Sequence, residues 1–413
     1  MTPLIFHVDV NSAFLSWEAA RRTAMGQEDL RLIPSAIGGD RDKRTGVILA
    51  KSIPAKRYGI KTGEPIGMAL RKCPELVLAR PDFRLYEQCS KAFMDICREY
   101  APVVEKYSID ECFLDMTGTY RLYPDPVAIA HTIKDRIRGE LGFTVNVGIG
   151  ECKLLAKMAS DFEKPDKVHT LFRSEIRQKM WPLPVRDLFT VGASTAEKLE
   201  KARVRTIGEL ANSDLYYIQR IVGVKMGQQI YNFANGTDPS PVLAAPEEAK
   251  GYSISTTLEE DVITKQQAHG VLLTLTDSVT ARMRSDGAKA YCVAVSIRSN
   301  DFKTRSHQRK LMNPTDISRE VYQTSRQLFA ELWDGHTPLR LLGISLTDLT
   351  REESSQLSLF PEEDREKARR LDHAYDVINS KFGAAAIMRG SSMQSGLEVG
   401  KKYRAQMEQK KKP

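Results

Sequence analysis

The 413-residue sequence contains no Cys-x-x-Cys pair, no long apolar run and no basic start followed by an apolar core. Each absence excludes a class of protein. The six cysteines, Cys73, Cys89, Cys97, Cys112, Cys152 and Cys292, follow no regular spacing, which argues against both a zinc site and a disulfide framework. Reduced thiols packed as small apolar groups are expected instead. The apolar runs are too short to span a bilayer, and "MTPLIFHVDV" does not read as a secretion signal, so a cytoplasmic protein with no membrane contact is expected. With 41% hydrophobic and 28% charged residues the chain is ordinary globular protein, and its length calls for several domains.

The net charge of +8 points to a polyanion, and the distribution sharpens the point. Residues 282 to 310 hold eight basic side chains, among them Arg282, Arg284, Arg298, Lys303 and Arg305, against Asp286 and Asp301. Around the alternating strand "AYCVAVSIRS" this reads as a phosphate-contacting patch rather than a solvated face. The basic end, "GKKYRAQMEQKKKP", reads as a solubilising tail.

In "LIFHVDV" Leu4, Phe6, Val8 and Val10 share one face of a strand, and Ile5, His7 and Asp9 share the other. Asn11 or Ser12 is positioned to cap the helix that follows, on which Phe14 and Trp17 lie on one side. Residues 38 to 74 look like a small insertion with little core of its own. The helix "RLYEQCSKAFMDICREY", strands "PVVEKYSI" and "CFLDMTG", helix "PVAIAHTIKDRIRGEL", strand "FTVNVGIG" and helix "CKLLAKMASDF" complete a β-α-β-β-α-β order. That order is a split βαβ sheet, ferredoxin-like, with helices on one face. Further on, Gly192, and then Gly223 with Gly227, mark turns of two helix-hairpin-helix candidates, whose N–H groups suit a DNA phosphate. A proline-rich linker leads into a separate α/β domain, and residues 362 to 382 suit a charged helix.

The split sheet can bring Asp9 beside Asp110 and Glu111 in "YSIDECFLD". A hairpin turn alone accounts for the dipeptide, but a third acid on a neighbouring strand favours a shared metal. Carboxylates without histidine or thiolate suit two Mg²⁺ ions, with Mn²⁺ as a substitute, placed for in-line phosphoryl displacement. Lys56, Arg57 and Lys164 can supply cations to a polyphosphate.

"HVDVNSAF", "IPAKRYGIKTGEP", "YSIDECFLD", "VGIGECKLLAKMASDFEKP" and the paired hairpins occur in the order and spacing of the Y-family translesion DNA polymerases, which the chain resembles from residue 1 to about 350. The resemblance implies a multidomain α/β and α+β right hand. Its palm would be 1–17 and 76–166, its fingers 18–75 and its thumb 167–240. A 241–250 linker, a 251–349 little finger and a 350–413 tail follow. It further implies low-fidelity, template-directed synthesis without proofreading, on primer-template DNA with dNTP. Asp9, Asp110 and Glu111 would be the metal acids and Val10 a carbonyl ligand. Phe14 would be the steric gate, and Lys164 the triphosphate contact, with Lys56 and Arg57 in the fingers. A monomer is expected.

The sequence departs from the family at Ile53 and Lys56, where the usual Y-x-A-R has tyrosine and arginine. A bidentate fork and a hydroxyl donor are lost, which bears on how tightly nucleotide is held. The small fingers cannot close a long helix over the nascent pair, so an open, error-tolerant site is expected. "QLSLF" resembles a bacterial sliding-clamp-binding pentapeptide, with Gln356, Leu357, Leu359 and Phe360 as its anchors. The alternatives are a nucleotidyl cyclase, built on a similar sheet, and a catalytically weak clamp- and DNA-binding repair factor.

Overall fold

A computed structural model of the chain describes residues 2–39, 46–352, 363–383, 386, 387 and 389. The alternation in "IFHVDV" produces β1 (Ile5–Val10), whose two faces are both buried. Phe6, Val8 and Val10 enter the main core, and Ile5 packs with Phe113 and Ala156 on the other side. Helix α1 (Ala13–Ala24) follows and buries Leu15 and Trp17. Neither expected cap forms. Ser12 adopts a left-handed φ of 50° with no side-chain bond to the helix, and Asn11 instead joins Asn146 and the Asp166 N–H.

A subdomain comes next, with β2 (Ser35–Gly38), β3 (Ile48–Lys51), α2 (Ile53–Arg57), α3 (Ile66–Lys72) and β4 (Val77–Ala79). Its sheet has the order β3-β2-β4. Its apolar residues, including Ala36, Ile48, Ala55, Ile60 and Ile66, face one another in a core separate from the main one. The insertion thus has more core than its composition promises, because Ala36, Ile48, Ala55, Ile60, Ile66, Ala69 and Leu76 turn inward, while Ile53, Tyr58 and Met68 stay exposed. Its helices have five and seven residues, as the punctuated sequence requires.

The main sheet is completed by α4 (Phe83–Arg98), β5 (Val103–Lys106), β6 (Glu111–Asp115), α5 (Pro126–Leu141), β7 (Val145–Gly150), α6 (Lys153–Ser160) and β8 (Val168–Leu171). Asp82 and Asp125 cap α4 and α5 through their carboxylates, and Gly142, at φ 75°, ends α5. The strand order is β5-β6-β1-β7-β8. Two features differ from the sequence reading. The short fifth strand β8 pairs in parallel with β7, so the sheet continues past residue 166. Helices also cover both faces rather than one: α4 and α5 pack on Phe6 and Val8, whereas α6 packs on the side of Ile5 and His7. Glycine permits that close packing. A Cβ on Gly148 would fall 2.0 Å from the Ala156 carbonyl oxygen and 2.4 Å from the Ser160 nitrogen.

Four short helices, α7 (Ala193–Lys201), α8 (Ile207–Ala211), α9 (Leu215–Val222) and α10 (Val224–Ala234), share a further core. Gly223, at φ 94°, joins α9 directly to α10 as a helical hairpin. The first candidate hairpin is incomplete, because only the 3₁₀ turn Val185–Asp187 precedes Gly192 and α7.

The chain divides within the expected linker: one unit takes Met1–Gly39 and Val47–Pro246, and the second includes the chain from Glu247 onward. The second unit contains β9 (Gly251–Val262), α11 (Lys265–Ser285), β10 (Lys289–Ser299), β11 (Thr304–Thr315), α12 (Ser318–Leu332) and β12 (Leu339–Thr350). Its antiparallel sheet has the order β11-β10-β12-β9, with α11 and α12 packed on it. The charged helix α13 (Glu363–Phe382) docks on α11 and α12 through ions. Asp372 meets Arg284, Arg389 and the Ser318 N–H, and Arg365 pairs with Glu320. No helix among the described residues is long and apolar enough to cross a membrane.

Candidate active site

Antiparallel pairing sets Asp9 of β1 directly opposite Glu111, the first residue of β6. Residues so paired point to the same side of a sheet, and α6 lies over that side. From α6, Lys157 Nζ reaches Asp9 Oδ2 at 3.2 Å and Glu111 Oε1 at 3.0 Å. Lys164 Nζ lies 3.1 Å from Asp9 Oδ1 and 2.9 Å from Asp161. Asp110 occupies the bend before β6, where its carboxylate accepts from Ser108 Oγ at 2.6 Å and its carbonyl from the Val10 N–H at 3.0 Å.

The charges here are strongly perturbed. Burial pushes Asp9 up to about 6, against the pull of Lys164 and Lys157. Burial also works to raise Glu111, but its contacts with His7 and Lys157 outweigh that and bring it down to about 2. Lys157 shows the complement: burial disfavours its charge, and Asp9, Asp161 and Glu111 more than restore it.

Among the described residues no three Asp, Glu, His or Cys side chains stand close enough together to hold an ion unaided. The reason is visible in the contacts. Two adjacent carboxylates repel unless a cation lies between them, and the Lys157 ammonium takes that place. The donor set nevertheless fits a divalent ion: the carboxylates are hard oxygen donors, one of them is held in a poorly solvated position, and the position already carries positive charge. Lys157 is absent from the sequence reading. Its signal was one long cation, 8% exposed, in the otherwise buried stretch "LLAKMAS".

Phe14 stands in the first turn of α1 with its ring stacked on Tyr86 at 4.7 Å and against the edge of Trp17 at 5.9 Å. Its position is set by packing rather than by solvent. The cations paired with Asp9 and Glu111 among the described residues are Lys157 and Lys164. Lys56 and Arg57 are exposed in the last turn of α2, and Ile53 is exposed at its start.

The basic residues of the second unit do not share one face. Arg284 is turned into the ion cluster with Asp372 and Asp376, which removes it as a free phosphate contact. Arg282 donates to the Ser253 carbonyl, and Lys303 pairs with Asp301. Arg298 lies opposite Thr304 and Arg305 opposite Ile297, so these two arginines project from opposite faces of the sheet. Part of the apparent excess of charge arose because balancing acids lie further along the chain: Asp372 and Asp376 for Arg284, Glu331 for Arg309 and Asp348 for Lys310. Gly227 is likewise a packing residue: a Cβ there would fall 2.8 Å from Gln219 Cα. Gly192 and Gly223 begin α7 and α10. The motif of Gln356, Leu357, Leu359 and Phe360 lies outside the described residues.

Residues 8–161 match the impB/mucB/samB family, residues 249–359 match its C-terminal domain, and residues 186–238 match the thumb domain of DNA polymerase-iota. The chain is 44% identical over 392 residues to DNA polymerase IV of Clostridium acetobutylicum, covering 94% of this chain and 98% of that relative. Against DNA polymerase IV 1 of Bacillus subtilis it is 35% identical, with 94% and 93% covered. A solved Y-family DNA polymerase chimera shares the fold, with a TM-score of 0.72 over 84% of this chain and 100% of its own, at 19% identity. Strand order, the paired carboxylates and the relatives agree: the chain belongs to the impB/mucB/samB family, the Y-family of DNA polymerases.

Proposed function

We propose that Asp9, Asp110, Glu111 and the Val10 carbonyl hold two Mg²⁺ ions, for which Mn²⁺ can substitute, in a DNA-directed DNA polymerase that performs translesion synthesis. The observation that carries the assignment is the Asp9–Glu111 cross-strand pair with Lys157 and Lys164 seated on it. When bound, such ions activate the primer 3′-hydroxyl and neutralise charge on the triphosphate. The protein's own groups do the rest. Lys164, partly exposed beside Asp9, is placed to turn to the triphosphate. Phe14, backed by Tyr86, presents a fixed ring to C2′ of the incoming sugar. Lys56 and Arg57 add positive charge from the small sheet subdomain.

In this reading the main sheet, with β8, is the palm and the small subdomain the fingers. Helices α7 to α10 form the thumb, and the unit after the linker the little finger. The short fingers helices leave the nascent pair weakly enclosed, which suits distorted templates and raises errors. The N–H groups at Gly192 and Gly223, with Arg298 on its face of the second unit's sheet, contact the DNA backbone. QLSLF tethers a monomeric enzyme to a sliding clamp.

The test is Mg²⁺-dependent primer extension on undamaged and abasic-site templates, with Asp110→Ala alongside. Extension past the lesion that disappears in the variant supports the assignment. Full activity in Asp110→Ala would remove Asp110 from the metal set. A wild-type chain that binds primer-template yet adds nothing with either ion would favour the weak repair factor.

A further inference from the structure

One fully buried side chain beside the carboxylates has no part in the chemistry above. His7 has no exposed surface, and its Nδ1 lies 2.8 Å from Ser160 Oγ. Its Nε2 makes no regular hydrogen bond but stands 3.5 Å from Glu111 Oε2. Lys157 occupies the other oxygen, Oε1, at 3.0 Å. The Phe113 ring closes one side of the imidazole, 4.6 Å between centroids. The Glu111 carboxylate is therefore flanked oxygen by oxygen, with an ammonium on one and an imidazole on the other.

An imidazole with one proton can carry it on either ring nitrogen. On Nδ1 that proton would meet the neutral Ser160 hydroxyl, and the Nε2 lone pair would face a carboxylate, acceptor against acceptor. On Nε2 it points at the ionised Oε2, and the Ser160 hydroxyl turns its own proton to Nδ1. A hydrogen bond to an ionised acceptor is roughly twice as strong as one between neutral groups, and a buried acceptor with no donor is costly. The Ser160 hydroxyl also lies 2.8 Å from the Lys157 carbonyl, and giving up that neutral partner is the smaller loss.

We infer that His7 is a positioning residue: with its proton on Nε2 and its tautomer set by Ser160, it fixes the plane of the Glu111 carboxylate from the side opposite Lys157. Glu111 then meets a divalent ion already oriented. This rests on Glu111 being a metal ligand, as assigned above. Groups of this kind, one bond removed from the ion, typically govern metal affinity by 10- to 100-fold.

The experiment uses the full chain without DNA or nucleotide. Long-range proton–nitrogen correlation on protein labelled with ¹⁵N-histidine reports which ring nitrogen of His7 carries the proton. Nε2 is expected, and a proton on Nδ1 overturns the proposal whether or not any variant folds. Mn²⁺ titration calorimetry then compares wild type with His7→Gln, His7→Asn and His7→Phe. Glutamine places an amide N–H near the Nε2 position, whereas asparagine places it near Nδ1. Glutamine should bind Mn²⁺ within about threefold of wild type, with asparagine and phenylalanine weaker by roughly 10- to 100-fold. Equal weakening in all three, or none in any, overturns the role. Failure of the metal assignment itself has a different signature, because Glu111→Ala and Asp9→Ala would then leave Mn²⁺ binding unchanged.

Discussion

Replacing Gly148 by alanine tests whether the contact between β7 and α6 sets the active-site geometry. A Cβ at this position would lie 2.0 Å from the Ala156 carbonyl oxygen and 2.4 Å from the Ser160 nitrogen, both backbone atoms that cannot swing aside. Relief to an ordinary contact requires α6 to retreat by about 1 Å, since packed interiors have no void to absorb the methyl. Lys157 rides on that helix, so its 3.0 and 3.2 Å contacts to Glu111 and Asp9 lengthen to about 4 Å and cease to be hydrogen bonds. Overpacking costs about 1–3 kcal/mol, and a clash with backbone belongs at the upper end. Misplacement of about 1 Å near the reacting groups costs on the order of 100-fold in rate. Single-nucleotide incorporation and urea unfolding measure the two effects separately. Gly139→Ala is the control: it lies on α5 with nothing within 4 Å of its added Cβ, and should be neutral or stabilised by about 0.4–1 kcal/mol. If Gly148→Ala keeps wild-type stability and turnover, α6 is not held in place by this contact.

Four further outcomes follow from described contacts. Phe14→Ala should admit ribonucleotides, read as the ratio of dNTP to rNTP incorporation; unchanged discrimination would remove Phe14 as the gate. Arg284→Ala, which removes the ion pair of Asp376 and leaves Asp372 with Arg389 and the Ser318 N–H, should destabilise the second unit by about 3 kcal/mol while leaving the salt dependence of DNA binding unchanged. Arg298→Ala should do the reverse, lowering the salt slope by about 1 with little loss of stability, and an equal loss of slope in both variants would contradict their different surroundings. Asp277 is raised to about 6, chiefly by burial and against the Arg389 pair, so the folded chain holds its proton more tightly than the unfolded chain. Its contribution is therefore greatest below about pH 4 and is lost as pH rises through 6, by roughly 2–3 kcal/mol. Asp277→Asn should flatten that decline in a pH series of chemical denaturation, and an unchanged decline would acquit Asp277.

Local pattern carried most of the fold. The alternation in β1, the aspartate caps of α4 and α5 and the apolar spacing of "PVAIAHTIKDRIRGEL" are properties of neighbouring residues, and the elements appear where those residues place them. The β1–β6 pairing of Asp9 with Glu111 was also legible, since it needs only the strand order and the strand faces. Long-range partners were not. Strand β8 is four residues long and is defined by its parallel neighbour β7. The first residues of α1 forgo a cap because Asn11 is drawn to Asn146 and Asp166. Lys157 and His7 look like core residues along the chain, and they gain chemical meaning only when α6 closes over β1. Arg284 looked free for the converse reason, because its acids arrive on α13.

The central position of β1 has a consequence for how the chain is made. Its hydrogen-bonding partners are β6 and β7, and the contact from Lys157 to Asp9 spans 148 residues. At a synthesis rate of roughly 5–20 residues per second, the first strand leaves the ribosome on the order of ten seconds before the helix that neutralises it. During that interval Phe6, Val8 and Val10 have no sheet to join, and Asp9 waits in solvent as an ordinary aspartate. The enzyme's acidic centre is thus assembled from the earliest-made part of its sheet and one of the latest, and a nascent chain stalled before residue 157 carries the acids without the cation that seats them.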